Sequence, residues 1–318
     1  MAVRNRHNFE VRMKLVTAFF RLIRWQNLVF VLLTQFLFYF CVYLPLYHVS
    51  FDVVSFSLLS FASLLIAAAG YIINDYFDLN IDQINKPNKN VLSNTINRRS
   101  AILWHLTLSV IGIAITAVAV SFGKWYLMVA NIICVMLLWL YSTSFKRQVL
   151  IGNIVISLLT SWTVLVLFFW IVPFNAAFGI KDETTIKFFR IAFLYASFAF
   201  VISVIREAIK DIEDIEGDRR YGCRTLPIVA GVVATKIYIA VWLVVLIASL
   251  IVLQLYVLQF GWWMPVIYSI VTLIIPLLFL FLRLSKAKST EEFARLSSYT
   301  KWIMLFGILS MIFFRVYF

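Results

Sequence analysis

Carboxylates are scarce in this sequence: 15 Asp and Glu stand against 28 Lys and Arg over 318 residues. Histidine and cysteine number three each. His7, His48 and His105 are isolated along the chain, so no histidine-based metal centre or nucleophile constellation is present. Cys41, Cys134 and Cys223 are odd in number, dispersed and without metal-ligand spacing, which excludes a disulfide framework. Segments of about ten residues with alternating hydropathy are missing, which excludes an outer-membrane barrel. The N-terminus is basic (Arg4, Arg6, Arg12, Lys14), but no small-residue cleavage site follows it. The apolar stretch after it runs to about Leu46, too long for a signal peptide, and is expected to be a retained first span.

Apolar side chains fill the space. They make up 63% of the chain, against roughly 45–50% in a soluble domain. They come in runs of about 20 residues or more, enough to cross roughly 30 Å of hydrocarbon as helix. The expected fold is therefore all-α: a polytopic membrane bundle of about nine transmembrane helices forming one domain over residues 1–318, with a short basic N-terminus over 1–18. The spans fall at roughly 20–46, 53–76, 100–122, 125–143, 149–172, 186–212, 227–255, 263–284 and 298–317. With the N-terminus in the cytoplasm, cytoplasmic segments carry 23 of the Lys and Arg and the opposite side 5. This split orients the chain by the positive-inside rule. It also accounts for the net charge of +13 without nucleic acid, since basic loops face an anionic lipid surface. The location implied is the cytoplasmic membrane.

Six of the fifteen carboxylates sit in two clusters of one spacing, Asp75-x-x-Asp78-x-x-x-Asp82 and Asp211-x-x-Asp214-x-x-x-Asp218. Each follows an apolar run. A carboxylate at the bilayer centre costs roughly 2.5–3.5 kcal/mol, so six facing lipid are excluded. They belong at the water edge or in a polar cavity. Four helices separate the clusters, so both emerge on one face, which suggests a parallel four-helix internal repeat plus one helix. On a helix, each cluster lies within an arc of about 60°. Gly217 is a candidate helix end that would leave Asp218 on a loop. Clustered oxygen ligands suit Mg²⁺, which takes a few carboxylates together with waters and phosphate oxygens. Two such faces opposed could grip a diphosphate.

Cations accompany the acids. Lys86 and Lys89 follow the first cluster, Arg206 and Lys210 precede the second within the final turns of span six, and Arg219 and Arg220 follow it. They are candidate partners for diphosphate oxygens, although positive-inside topology alone explains most of the loop charges. Tyr141 and Lys146 precede Gly152 and Asn153 on the same face, with Lys146 placed to reach a diphosphate and Tyr141 to line a pocket. Arg24 and Asn27 interrupt the first apolar run, where a polar side chain faces protein or cavity. Aromatics are 17% of the chain. They suit cation–π stabilisation of a carbocation or simple lipid-facing bulk.

This pattern resembles the UbiA superfamily of intramembrane prenyltransferases. Asn74-Asp75-x-x-Asp78-x-x-x-Asp82 with Asn85-Lys86-Pro87 is similar to that family's first aspartate-rich loop, and Asp211-x-x-Asp214-x-Glu216-Gly217-Asp218 to its second. Tyr141 through Asn153 resembles the motif between spans four and five, and Arg24 with Asn27 the polar pair of the first helix. Lys86 stands where the family often has Arg, and Trp25-Gln26 where Arg-Pro is common. The resemblance implies an Mg²⁺-dependent enzyme. Its metal ligands would be Asp75, Asp78, Asp82, Asp211, Asp214 and Asp218; its catalytic residues Lys146, Arg206, Lys210 and Tyr141; its substrate-binding residues Arg24, Asn27, Asn74, Lys86, Lys89 and Asn153. A polyprenyl diphosphate would give its allyl group to a lipid-soluble acceptor, without nucleic acid or an obligate protein partner. Residues 210–218 with Gly222-x-Arg224-Thr225-Leu226-Pro227 most resemble the digeranylgeranylglyceryl phosphate synthase branch, which prenylates geranylgeranylglyceryl phosphate. Prenyltransferases of aromatic quinone precursors have related second loops.

Two other classes fit less well. A cation-coupled transporter would carry its acids near the midplane, with matched Gly or Pro breaks. A CDP-alcohol phosphotransferase would hold its acids in one continuous motif.

Overall fold

A computed structural model describes residue 13 and residues 16–85, 97–120, 122–173 and 182–317. Among these residues there is no strand. Nine helices among the described residues are long and apolar enough to cross a membrane. In chain order with two short helices they are α1 (Trp25–Tyr47), α2 (Val53–Asn85), α3 (Arg98–Ala119), α4 (Tyr126–Thr143), α5 (Ile151–Ile171), α6 (Glu183–Glu213), α7 (Ile215–Arg220), α8 (Leu226–Val229), α9 (Gly231–Leu258), α10 (Trp263–Lys286) and α11 (Thr290–Tyr317). The chain is an integral membrane protein of the expected helical class. It divides into two compact units, one of residues up to Leu32 with Asp52–Phe145, the other of Leu33–Phe51 with Lys146–Phe318.

The first unit is built on α2, α3 and α4. Small residues let α2 and α3 approach closely: a Cβ on Gly112 would lie 2.9 Å from Ile66 Cγ1 and 3.2 Å from the Ala62 carbonyl. Close backbone approach of this kind drives helix association where lipid removes the hydrophobic term. Two buried polar side chains tie the unit together. His105 Nδ1 lies 2.9 Å from the Ala69 carbonyl, and Asn131 Nδ2 donates to Thr116 Oγ1 at 2.8 Å, tying α4 to α3. Ala18, Leu22, Ile72, Leu79 and Ala101 form an apolar core beside the first acidic cluster.

The second unit packs α5, α9 and α11 around α6. Ile202, Ile205 and Ile209 of α6 join Leu243, Leu277 and Phe293 in one core. Hydroxyls stitch the helices together. Ser161 Oγ donates to the Ala196 carbonyl at 2.7 Å, Tyr268 Oη to the Phe306 carbonyl at 2.9 Å, and Tyr195 Oη lies 2.8 Å from Ser310 Oγ. Two spans contain a π-helical stretch, Phe38–Tyr43 before Pro45 and Ile270–Ile274 before Pro276. Proline has no N–H for the carbonyl one turn back, and a local change of winding accommodates the gap.

Three boundaries depart from expectation where the site is concerned. The first span is interrupted: residues 16–22 are helical, Arg24 adopts a left-handed φ of 49°, and α1 begins at Trp25. The second span continues to Asn85 rather than about 76, because the helix runs on through the aspartates past its apolar stretch. The sixth span ends where expected, at Glu213, with Asp214 at φ −95° and ψ 7°; the departure there is Gly217, which is buried inside α7 instead of ending a helix.

Candidate active site

Asp75, Asp78 and Asp82 all lie on the C-terminal third of α2, each half-buried. Acids at a helix C-terminus oppose the macrodipole and need positive partners. Asp75 has one: Arg24 Nη2 donates to its Oδ1 at 2.6 Å. The left-handed turn at Arg24 is unusual for a residue with a Cβ, and the guanidinium it carries also sits 5.5 Å over the Tyr71 ring, one turn before Asp75. Asn27 stands in the first turn of α1, its backbone N–H donating to the Arg24 carbonyl at 2.7 Å. Asn74 Oδ1 is buried and makes no hydrogen bond among the described residues. Tyr141 occupies the last turn of α4, half-buried in the same unit.

In the second unit, Asn153 in the first turn of α5 donates from Nδ2 to Asp211 Oδ2 at 2.9 Å. Asp214 closes α6, its N–H donating to the Lys210 carbonyl at 2.8 Å. Asp218 sits on α7, so the helix break falls inside the second cluster, between its first and last members. The leading aspartate of each cluster thus accepts from a donor lying earlier in the chain, Arg24 in one unit and Asn153 in the other. That echo of the repeat comes from side chains of different chemistry, which no comparison of the two halves by identity would find.

Lys146 lies in a short turn, Phe145–Arg147. The Arg224 N–H donates to the Arg147 carbonyl at 2.7 Å, joining this turn to the segment that follows the second cluster. Arg206 and Lys210 are not bare charges in the span. Glu207, which sequence reasoning passed over, accepts from Arg206 Nη1 at 2.8 Å and from Lys210 Nζ at 2.9 Å. Its sequence signal was an acid inside an apolar run. Lys86 and Lys89 lie outside the described residues.

All the candidate metal ligands are carboxylates, the hard oxygen donors that Mg²⁺ takes. Among the described residues no three His, Cys, Asp or Glu converge on one ion. The spacing explains this: seven residues of helix separate the ends of a cluster by about 10 Å. Each face can therefore lend one or two carboxylates to an ion, which leaves room for water and phosphate oxygens. The buried, unbonded Asn74 Oδ1 beside Asp75 fits a site that is completed by a cation or a donor group.

The geometry has counterparts. A digeranylgeranylglyceryl phosphate synthase of Methanosphaera stadtmanae is 30% identical over 244 residues, 76% of this chain and 81% of its own length. One of Thermococcus sibiricus is 35% identical over 182 residues, 57% of this chain, and there the chain spans little more than half (58%) of the relative. Two solved structures share the fold. One, described as a digeranylgeranylglyceryl phosphate synthase in membranes, superposes with a TM-score of 0.62 at 23% identity over 96% of this chain and 99% of that one. The other is a UbiA homologue from Archaeoglobus fulgidus bound to DMAPP and Mg²⁺, with a TM-score of 0.56 at 16% identity over 92% of this chain and 98% of that one. The UbiA prenyltransferase family matches residues 35–307, from the middle of α1 into α11 and across the second cluster, the Lys146 turn and all of the first. With paired aspartate clusters on helix ends, each led by a buttressed carboxylate, this chain belongs to the UbiA prenyltransferase family.

Proposed function

We propose that this prenyltransferase moves a geranylgeranyl group from its diphosphate to the free hydroxyl of geranylgeranylglyceryl phosphate. The C–O bond to the diphosphate breaks, an ether C–O bond forms, the hydroxyl proton passes to solvent, and diphosphate leaves. The observation that carries the reading is the buttressing of Asp75 by Arg24 and of Asp211 by Asn153. Each contact holds a carboxylate oxygen in place before substrate arrives, so that a metal ion bound there would be positioned in advance against the departing diphosphate. The names of the relatives support the acceptor, as does the sequence from Lys210 to Pro227.

In this reading residues 1–318 work as one domain. Asp75, Asp78, Asp82, Asp211, Asp214 and Asp218 hold Mg²⁺, which supplies positive charge against the leaving diphosphate. Arg24 and Asn153 orient the leading carboxylates. Lys146, Lys86 and Lys89 contact phosphate oxygens, and Arg206 and Lys210 add positive charge near the pocket mouth. Asn27 and Asn74 offer amide groups to substrate, and Tyr141 lines the pocket. The site faces the cytoplasm, which the 23-to-5 split of Lys and Arg supports.

The test is incubation of the reconstituted chain with Mg²⁺, geranylgeranyl diphosphate and a panel of acceptors, read by mass spectrometry. An ether-linked product from geranylgeranylglyceryl phosphate is expected. Product from aromatic acceptors alone would reassign the acceptor.

A further inference from the structure

Glu207 lies in an unusual position. It is buried in α6, one turn before Asp211, and at 100° per residue it falls on the face of Asp211 and Asp214. Its two oxygens are divided between two cations: Oε1 accepts from Arg206 Nη1 and Oε2 from Lys210 Nζ. Arg206 and Lys210 are four residues apart, about 40° around the helix, so the clamp draws them onto one flank of the acidic face. The group of three keeps one net positive charge. Arg206 Nε is also buried and makes no hydrogen bond among the described residues. A buried donor without an acceptor is costly, and an incoming oxyanion would relieve it.

Long cationic side chains near a span end otherwise extend to the water edge. Holding two of them against one carboxylate prevents that and fixes their direction. A planar guanidinium with a free edge beside an ammonium is suited to a phosphoryl group. Arg24 differs in that its ion pair is with Asp75, a candidate metal ligand, whereas Glu207 holds two cations side by side.

We propose that Glu207 is a positioning residue that clamps Arg206 and Lys210 into a preformed phosphate-binding pair, and that the pair receives the phosphate of the lipid acceptor. The second half of this inference rests on the proposed acceptor; the first half does not. A phosphoryl group could also come from the prenyl diphosphate, and the experiment separates the two.

The full chain is reconstituted as wild type, Glu207→Gln and Glu207→Asp. KM is measured for the acceptor and for geranylgeranyl diphosphate. Equilibrium binding of geranylgeranylglyceryl phosphate and of neutral geranylgeranylglycerol is followed by tryptophan fluorescence. Glu207→Gln is expected to weaken the phosphorylated lipid about 10- to 100-fold in both KM and Kd and the neutral lipid by less than about twofold, with kcat changing less than KM. Glu207→Asp keeps the charge and should restore part of the loss; it also carries the test if the Gln variant does not fold. An unchanged preference for the phosphorylated lipid, or tighter binding by Glu207→Gln, overturns the clamp. A rise in the diphosphate KM alone overturns the acceptor assignment. Absence of ether product from wild type removes the proposed function, and the binding comparison still decides whether Glu207 organises a phosphate site.

Discussion

In the proposed reaction Asp75 and Asp211 lead their clusters, because each is held by a named donor, Arg24 for one and Asn153 for the other. Replacing either with Asn keeps the shape and removes the charge. Asp75→Asn and Asp211→Asn are expected to lose at least about 100-fold in turnover, since a hydrogen bond to a charged group is worth roughly 1.5–3 kcal/mol and a metal contact goes with it. Helical circular dichroism should be unchanged. Asp218→Asn should be milder, because Asp218 sits on α7 beyond the break at Asp214. Full activity in a folded Asp211→Asn protein would remove the second cluster from the site. Arg24→Gln should reduce turnover while leaving Asp78 and Asp82 on their helix. A guanidinium keeps its charge at every working pH, so the Arg24–Asp75 contact should add no alkaline step to the pH profile.

At the scale of helices, stability rests on close approach and on capped ends. Gly307 of α11 faces Phe198 of α6, and a Cβ there would lie 2.5 Å from the ring. Alanine has the better helix propensity, by about 1 kcal/mol, but a ring held in a packed core does not give way freely. Gly307→Ala is expected to destabilise the protein by about 1–3 kcal/mol, the usual range for overpacking, and Phe198→Ala in the same chain should recover much of it. Thermal unfolding in detergent reads both. The start of α6 is capped by Asp182, which accepts from the Thr185 N–H at 2.8 Å and from its hydroxyl at 2.9 Å. The Thr185 backbone bond is the main cause of its lowered pKa. A depressed carboxylate stabilises above its unfolded value, near 3.9, and the contribution is lost as pH falls through the folded value. The protection factor of amides in the first turn of α6 should therefore fall as pH drops through the folded value, and Asp182→Ala should show the lower protection already at neutral pH.

For the whole molecule the testable matter is orientation. Nine spans with a cytoplasmic N-terminus place the segment after α2 and the segment before α6 on opposite sides. All three native cysteines are buried. Single cysteines at Asn88 and Asp182 should therefore be labelled by an impermeant reagent from opposite faces of the membrane. Labelling of both from one face would break the helix count and with it the proposal that both clusters face the cytoplasm.

The sequence by itself determined the class, the number of spans and the pairing of two acidic motifs. Those follow from local quantities: apolar run length against bilayer thickness, and the period of a helix. It also offered Arg24 and Asn153 as candidate site residues, Arg24 as a polar side chain in an apolar run and Asn153 from the motif that runs from Tyr141. Only the tertiary structure decided what those residues touch. Arg24 meets Asp75 across 51 residues and Asn153 meets Asp211 across 58, contacts that no spacing rule encodes. The left-handed turn at Arg24 and the helix break at Asp214 were likewise hidden, because neither position carries glycine or proline, the residues that announce a turn. Glu207 shows the difference most clearly. In the sequence it is one more charge beside Arg206 and Lys210; in the fold it is the acceptor that both of them share, because burial leaves two cations no cheaper partner than the carboxylate between them.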